Sequence, residues 1–328
     1  MTMCFTIGFI IILYILYRLY RHFFPTLNID PNGKYVLISG CDTGFGNGLA
    51  IELDKQGFHV LAGVFIPSSV NSLKDKLSSR ATVFRLDITK EEDINAVFEL
   101  VKEKTKVLHA LVNNAGVGTG GYIDWITLEH VHRIMNVNFF GHVAMTKTFL
   151  PLLIAKRDSR IVNITSVMGL ITPPGLSAYC ASKHAFEAFS DCLRREMFPW
   201  DLRVSIIEPG CLRTPIIQGQ DRLIQNLWNG ISADIRNRWG DHFANDLIEK
   251  SVTNSPFINH PDDPMKVVRA LQHAVMNAKP RIRYQPDLYA KLFFYPASML
   301  PAWLFDLLAL KLVGPSLLPA GVKTQIQD

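Results

Sequence analysis

The stretch YVLISGCDTGFGNGLA, residues 35–50, decides the fold. It opens on an apolar run, Tyr35–Ser39, that reads as a strand. It then turns through Gly40-Cys41-Asp42-Thr43-Gly44-Phe45-Gly46 and runs into helical periodicity over Gly46–Gln56. A bound phosphate needs backbone N–H groups aimed at it and no Cβ in the way. Glycines permit that approach, and a helix N-terminus adds partial positive charge. The spacing G-x3-G-x-G lengthens the first gap of the G-x-G-x-x-G dinucleotide fingerprint. Its place between strand and helix gives it more weight than glycine spacing alone would.

Outward from this turn, short apolar runs alternate with helical stretches. Strands are expected near Tyr35–Ser39, His59–Val64, Thr82–Leu86, Leu108–Val112, Arg160–Thr165 and Arg203–Glu208, with a seventh near Arg281–Tyr284. Between them Gly46–Gln56, Ile94–Lys104, Leu128–Leu153 and Tyr179–Met197 have the 3.6-residue period of helices. Such alternation predicts parallel βαβ units, hence an α/β, doubly wound parallel sheet of Rossmann type covered on both faces. No repeat or low-complexity linker divides it, so residues 30–285 are expected to form one catalytic domain.

The 328 residues are 48% hydrophobic and 19% charged, which excludes a disordered chain. A net charge of +5, scattered along the chain, gives no footprint for nucleic acid. Five cysteines without a C-x-x-C pair argue against a disulfide scaffold or zinc site. His109, His142 and His184 lack the partners of a metal site, and no metal is expected. Met3–Tyr17 carries no charge and is followed by Arg18, Arg21 and His22. It lacks a basic n-region and a small-residue cleavage site, so residues 1–24 read as an uncleaved membrane anchor with the body on the cytosolic side. Residues 286–328 form an apolar extension broken by Pro296, Pro301 and Pro315. It packs on the body, on a second subunit or on the membrane face, and a homo-oligomer is left open.

At the end of the second strand a dinucleotide ribose meets an acid in NAD proteins and an arginine in NADP proteins. Here Val64-Phe65-Ile66-Pro67 offers neither, and the lack of a positive group favours NAD over NADP. Asp87, ending the third strand, suits either an adenine amino group or a helix N-cap.

Tyr179 and Lys183 stand at i and i+4 on one helix. A phenol is a poor base at neutral pH, and a nearby ammonium lowers its pKa. Ser166 closes the fifth strand, where a hydroxyl can donate to a substrate oxygen. Asn113-Asn114-Ala115-Gly116 ends the fourth, and Asn138 lies in the long helix, where an amide could hold a water. All come from the carboxyl ends of parallel strands or the helices after them.

Taken in order, Gly40–Gly46, Asp87, Asn113–Gly116, Asn138, Ser166, Tyr179 with Lys183, and Pro209-Gly210 with Thr214 resemble the short-chain dehydrogenase/reductase superfamily. Gly40–Gly46, Pro209–Pro215 and Arg281-Ile282-Arg283-Tyr284 are similar to the branch of microsomal retinol dehydrogenases and 17-beta or 3-alpha hydroxysteroid dehydrogenases. Gln285-Pro286 departs from it, since relatives tend to carry a glycine there. The resemblance implies an NAD(P)-dependent oxidoreductase at the endoplasmic reticulum membrane. Tyr179 would then be the acid/base, Lys183 its pKa-lowering partner and ribose ligand, Ser166 the orienting donor and Asn138 the support of a relay water. The cofactor would lie along Gly40, Thr43, Gly44, Phe45, Gly46, Asp87, Asn113, Ala115, Gly116, Pro209, Gly210 and Thr214. Apolar residues of a lid over about 215–261, among them Ile216, Ile224, Trp228, Trp239 and Phe243, suit a small lipophilic substrate, retinol-like or hydroxysteroid. The alternatives are a 3-hydroxybutyrate-type dehydrogenase and a catalytically silent membrane-bound nucleotide sensor.

Overall fold

The computed structural model describes residues 26–214, 216–313 and 318–327, with Thr6, Gly8, Phe9, Ile12, Leu13, Leu16 and Leu19. The expected anchor therefore lies mostly outside the described residues. Its seven described positions are helical, and Phe9, Ile12, Leu13, Leu16 and Leu19 are exposed.

Seven strands form one sheet: β1 Tyr35–Ile38, β2 His59–Val64, β3 Thr82–Arg85, β4 Ala110–Asn113, β5 Arg160–Ile164, β6 Arg203–Ile207 and β7 Arg283–Tyr284. Their order is β3-β2-β1-β4-β5-β6-β7, and every neighbouring pair is parallel. Five helices join the first six strands: α1 Gly44–Gln56, α2 Ser69–Lys74, α3 Glu91–Lys104, α4 Leu128–Ile154 and α5 Ser177–Glu196. Strand alternation sorts the core into two layers. Val36, Ile38, Val60, Ala62 and Val112 face Leu49 and Leu53 of α1 and Val267 and Leu271 of a later helix. Leu37, Leu61, Leu111 and Ile161 face Ile94 and Val97 of α3 and Met145 and Phe149 of α4. Both faces are covered, which is why the central positions of most strands are apolar.

The expected strands are all present, with ends shifted by two residues or fewer. One helix differs from its periodicity. Between Met135 and Gly141, α4 passes through a π turn, Asn136–Phe140, which adds a residue to the turn and brings Asn138 to a fully buried position. Among the described residues, α4 is the one helix long and apolar enough to cross a membrane. It carries Asn138, His142 and Thr146 buried in the body, so it is a core helix.

After β6 the chain forms α6 Gln220–Gly230, α7 Ala233–Trp239, α8 Asp241–Ile248, α9 Pro256–Asn259 and α10 Met265–Met276, then β7. Of the apolar residues expected to face a substrate, Ile224, Trp228, Trp239 and Phe243 instead pack on Tyr122 and Trp125. Trp228 and Trp239 donate their indole N–H groups to Asp241 and Asp124, at 2.8 and 2.7 Å. Burying an indole favours a partner for its N–H, so these aromatics fix the lid to the body. The C-terminal extension is also tied down. Ala290 and Phe294 are buried against Val167 and Ile171, just beyond Ser166, and α11 Ala302–Val313 adds Phe305 to that cluster. Its outer side, with Leu288, Leu292, Met299 and Trp303, stays exposed.

Candidate active site

The carboxyl ends of β1, β4, β5 and β6 meet at one edge. Ser39 joins the first two: its Oγ accepts from the N–H groups of Asn114 and Ala115, at 3.1 and 3.2 Å. Asn114 returns the contact by donating Nδ2 to the carbonyls of Ser39 and Gly40, each at 2.8 Å. The turn is pressed so closely on β4 that side chains are excluded. A Cβ on Gly40 would lie 2.7 Å from Ala115 Cα, and one on Gly46 would lie 2.4 Å from Asn114 Nδ2. Gly44 differs. Its φ of +64° suits glycine, and a Cβ there would meet nothing within 4 Å. The open face of the turn lies there, at the first residue of α1. The N-cap Thr43 makes no side-chain cap, and the first turn of α1 holds no acid. Uncapped N–H groups at the start of a 13-residue helix fit a dinucleotide pyrophosphate.

Asp42 is the residue in this turn that the strand-by-strand reading passed over. Its two carboxylate oxygens accept from Phe65 N at 2.9 Å and Ile66 N at 2.8 Å. An acid therefore does stand at the end of β2, supplied from the glycine turn 23 residues earlier, and the expectation of neither charge there is corrected. Asp87 is also clarified. It accepts from the N–H and hydroxyl of Thr89, at 3.0 and 2.7 Å, while α3 begins after Lys90 without a side-chain cap. It forms a local turn and does not cap the helix.

Tyr179 and Lys183 rise from the first turns of α5 into the space between Ser166, Gly116 and Asn138. Lys183 Nζ lies 5.8 Å from the Tyr179 ring centre and donates to Ile164 O at 3.0 Å. A Cβ on Gly116 would sit 3.6 Å from Asn138 Oδ1 and 4.0 Å from Lys183 Nζ, so these three are immediate neighbours. Ser166 Oγ accepts from Met168 N at 3.2 Å and hydrogen-bonds the Tyr179 hydroxyl.

The electrostatics differ from the simple expectation that Lys183 acidifies the phenol. Burial pushes Tyr179 up to about 12, and the hydrogen bond with Ser166 pulls the other way. Burial also brings Lys183 down to about 8, opposed by the carboxylate of Glu187. The ammonium lies beside the ring and bonds a carbonyl, so desolvation dominates.

Two asparagines spend their side chains on structure. Asn113 is fully buried and donates Nδ2 to Thr146 and Asn163, at 3.2 and 2.9 Å, joining β4 to α4 and β5. Asn138 accepts from Val117 N, and donates to Val117 O and Ser182 Oγ, at 2.9, 2.9 and 3.1 Å. With both amide hydrogens engaged, Asn138 can offer a water only acceptor positions, at Oδ1 or at its main-chain carbonyl.

Pro209, Gly210 and Thr214 form the wall after β6. Pro209 O accepts from Val167 N at 3.0 Å, fixing the loop beyond Ser166. Gly210 is braced by fully buried Asp287, whose Oδ2 accepts from Gly210 N at 2.7 Å and Oδ1 from Ala290 N at 2.8 Å. A Cβ on Gly210 would lie 2.6 Å from Oδ1. The glycine is thus required by the brace itself. Gly210→Ala should destabilise the protein by about 2–3 kcal/mol, since the methyl must displace a buried, doubly bonded carboxylate. Urea denaturation of the two proteins side by side checks this, and equal midpoints would show that the loop yields freely.

The segment after Thr214 comes near the ring at Gly118, where a Cβ would lie 3.1 Å from Ile216 and 3.4 Å from Tyr179. Gln220 Nε2 bonds Gly118 O at 3.0 Å and pins this segment down.

The short chain dehydrogenase family profile matches residues 34–223. Retinol dehydrogenase 5 of Mus musculus is 40% identical over 284 residues, 85% of this chain and 88% of that protein. Dehydrogenase/reductase SDR family member 9 of Homo sapiens is 37% identical, over 86% of this chain and 89% of its own. Among solved structures, a short-chain dehydrogenase from Streptomyces avermitilis aligns with a TM-score of 0.66 and 26% identity, over 80% of this chain and 91% of that one. One from Burkholderia phymatum in complex with NAD gives 0.67 at 20% identity, over 85% and 96%, a likeness of fold. Together with the glycine turn and the cluster of Ser166, Tyr179 and Lys183, the match over most of its length makes this chain a member of the short-chain dehydrogenase family, an oxidoreductase that works with a nicotinamide dinucleotide.

Proposed function

We propose that the protein interconverts a lipophilic secondary or allylic alcohol, retinol-like or hydroxysteroid, with its carbonyl compound. The observation that carries this reading is the desolvated Tyr179 phenol beside Ser166, with apolar neighbours around its ring. Gly118 lies beside the ring, and Ile216 beside Gly118. Behind them Gly120 borders Leu176 and Ile224, and Gly121 borders Ile126 and Leu227. A small hydroxy acid would need a cation for its carboxylate, and this apolar wall offers none. Retinol dehydrogenases among the relatives favour the retinol-like substrate.

The nicotinamide ring, when bound, supplies or accepts the hydride. Tyr179 exchanges the proton at the substrate oxygen, and Ser166 donates to that oxygen and orients it. Lys183 would hold the ribose, its ammonium lying beside the Tyr179 ring. Asn138 shapes the turn beside Lys183 through its bonds to Val117 and Ser182, leaving acceptor positions for a relay water. Gly40, Thr43, Gly44, Phe45 and Gly46 would cradle the pyrophosphate, Asp87 the adenine, and Ala115, Gly116, Pro209, Gly210 and Thr214 the nicotinamide half. The protein would sit in the endoplasmic reticulum membrane through its first 24 residues, body toward the cytosol.

NAD is the expected coenzyme because of Asp42. A carboxylate at the end of β2 accepts from a ribose hydroxyl and repels a 2′-phosphate. Asp42→Ser should lower the ratio of kcat/KM for NAD over NADP by about tenfold or more, since each 1.4 kcal/mol of lost discrimination is a factor of ten. An unchanged ratio would remove Asp42 from the ribose. For the reaction itself, NADH absorbance is followed with retinol, a 3-alpha-hydroxysteroid and 3-hydroxybutyrate. Turnover of hydroxybutyrate alone overturns the lipid assignment, and binding of NADH without turnover of any supports the silent sensor.

A further inference from the structure

We infer that Glu187, clasped by Arg283 of β7, is a positioning residue that keeps Lys183 charged during turnover. The inference rests on Lys183 acting beside Tyr179, as proposed above. Tyr179, Lys183 and Glu187 follow one another at four-residue spacing on one face of α5. Glu187 is buried, and a Cβ on Gly169 would lie 2.9 Å from its Cγ and 3.1 Å from Lys183 O. The Glu187 side chain and the Lys183 backbone thus share the turn at Gly169, and the carboxylate is bonded by Thr165 and Arg283.

Arg283 donates to Glu187, to Glu208 and, at 2.9 Å, to Asp191. Gln285 donates to Glu208 as well. Three carboxylates surround one guanidinium: burial raises the Glu187 and Glu208 carboxyls, and Arg283 pulls both back toward the charged form. Arg194 meets Asp191 at 3.3 Å and relieves that outer acid, while Lys183 is the buried cation next along the helix from Glu187. Burial drives Lys183 toward the neutral amine, and Glu187 opposes it. The remaining titratable neighbour comes from α4: His142, held neutral by burial and by the charge of Lys183 itself. Arg283 therefore does two things. It fixes where the Glu187 carboxylate points, and it limits how much of that charge Lys183 feels.

The rival reading is that Glu187 and Arg283 merely fasten β7 to α5. The pH dependence of kcat/KM separates the two in the full-length enzyme. Glu187→Gln keeps the size and the contact with Arg283 but removes the charge, so the alkaline limb, where Lys183 loses its proton, should move down by about one pH unit. KM for the coenzyme should change little, and Glu187→Asp should restore the limb. Arg283→Met should move it the opposite way, because the carboxylate is then uncompensated. Opposite shifts from two sides of one ion pair cannot arise from loosened packing. If Glu187→Gln loses activity with its limb in place, the inference fails, and if that variant does not fold, a limb in Arg283→Met that stays or moves down overturns it. Lys183→Met run beside them isolates the underlying reading: undiminished turnover there refutes the role of Lys183, whatever Glu187 does.

Discussion

Tyr179→Phe should lose turnover by a factor of about a thousand or more while still binding the coenzyme, because positioned proton transfer contributes roughly 10²–10⁴. The phenyl ring stays beside Gly118, so the backbone around it is undisturbed. What disappears is the one hydroxyl bonded to Ser166. Burial holds that hydroxyl in its protonated form at neutral pH, ready to donate to a carbonyl oxygen, so the reductive direction should suffer at least as much as the oxidative one. NADH fluorescence titration and steady-state rates in both directions check the claim together. Comparable rates with intact binding would make the Tyr179–Lys183 pair structural.

The parts of this arrangement that were legible in the chain are those set by local rules. Parallel strands covered on both faces are apolar at their central positions, so Tyr35–Ile38 and most of its partners announce themselves. The glycines of residues 40–46 are readable because a backbone packed on Asn114 and Ala115 leaves no room for side chains. What escaped depends on contacts that no period encodes. Asp42 reaches the end of β2 across 23 residues, and Arg283 reaches Glu187 across 96. The π turn at Asn136–Phe140 inserts one residue into a helix whose apolar pattern continues through it. The lid aromatics were legible as apolar, but whether they faced a substrate or Trp125 is a tertiary fact. Asn113 illustrates the same limit: that its side chain joins β4 to β5 is a contact across 50 residues.

Acid should unfold this protein unusually early, and two buried histidines are the reason. His142 is fully buried, stacks on Phe186 with ring centres 4.7 Å apart, and donates Nε2–H to Ala115 O at 2.8 Å. Burial, with Lys183 nearby, brings it from 6.5 down to about 3. His109, bonded to Val275 O at 3.1 Å, falls to about 4 through burial and the charge of Arg160. Both rings are neutral in the folded protein and take up protons near 6.5 once unfolded, so the unfolded state binds more protons below that pH. Stability is therefore complete above 6.5 and drains away as pH falls toward 3 to 4. Between about pH 7 and pH 5 each ring should cost about 2 kcal/mol, from roughly 1.4 units at 1.36 kcal/mol per unit. His142→Gln replaces the titrating donor by one that cannot titrate and still reaches for the Ala115 carbonyl, whatever it loses in stacking. Its stability at neutral pH should be lower than that of the parent, yet its decline between pH 7 and pH 5 should be about half as steep. Urea midpoints at the two pH values measure the slope directly, and parallel declines for parent and variant would show that other groups carry the acid sensitivity.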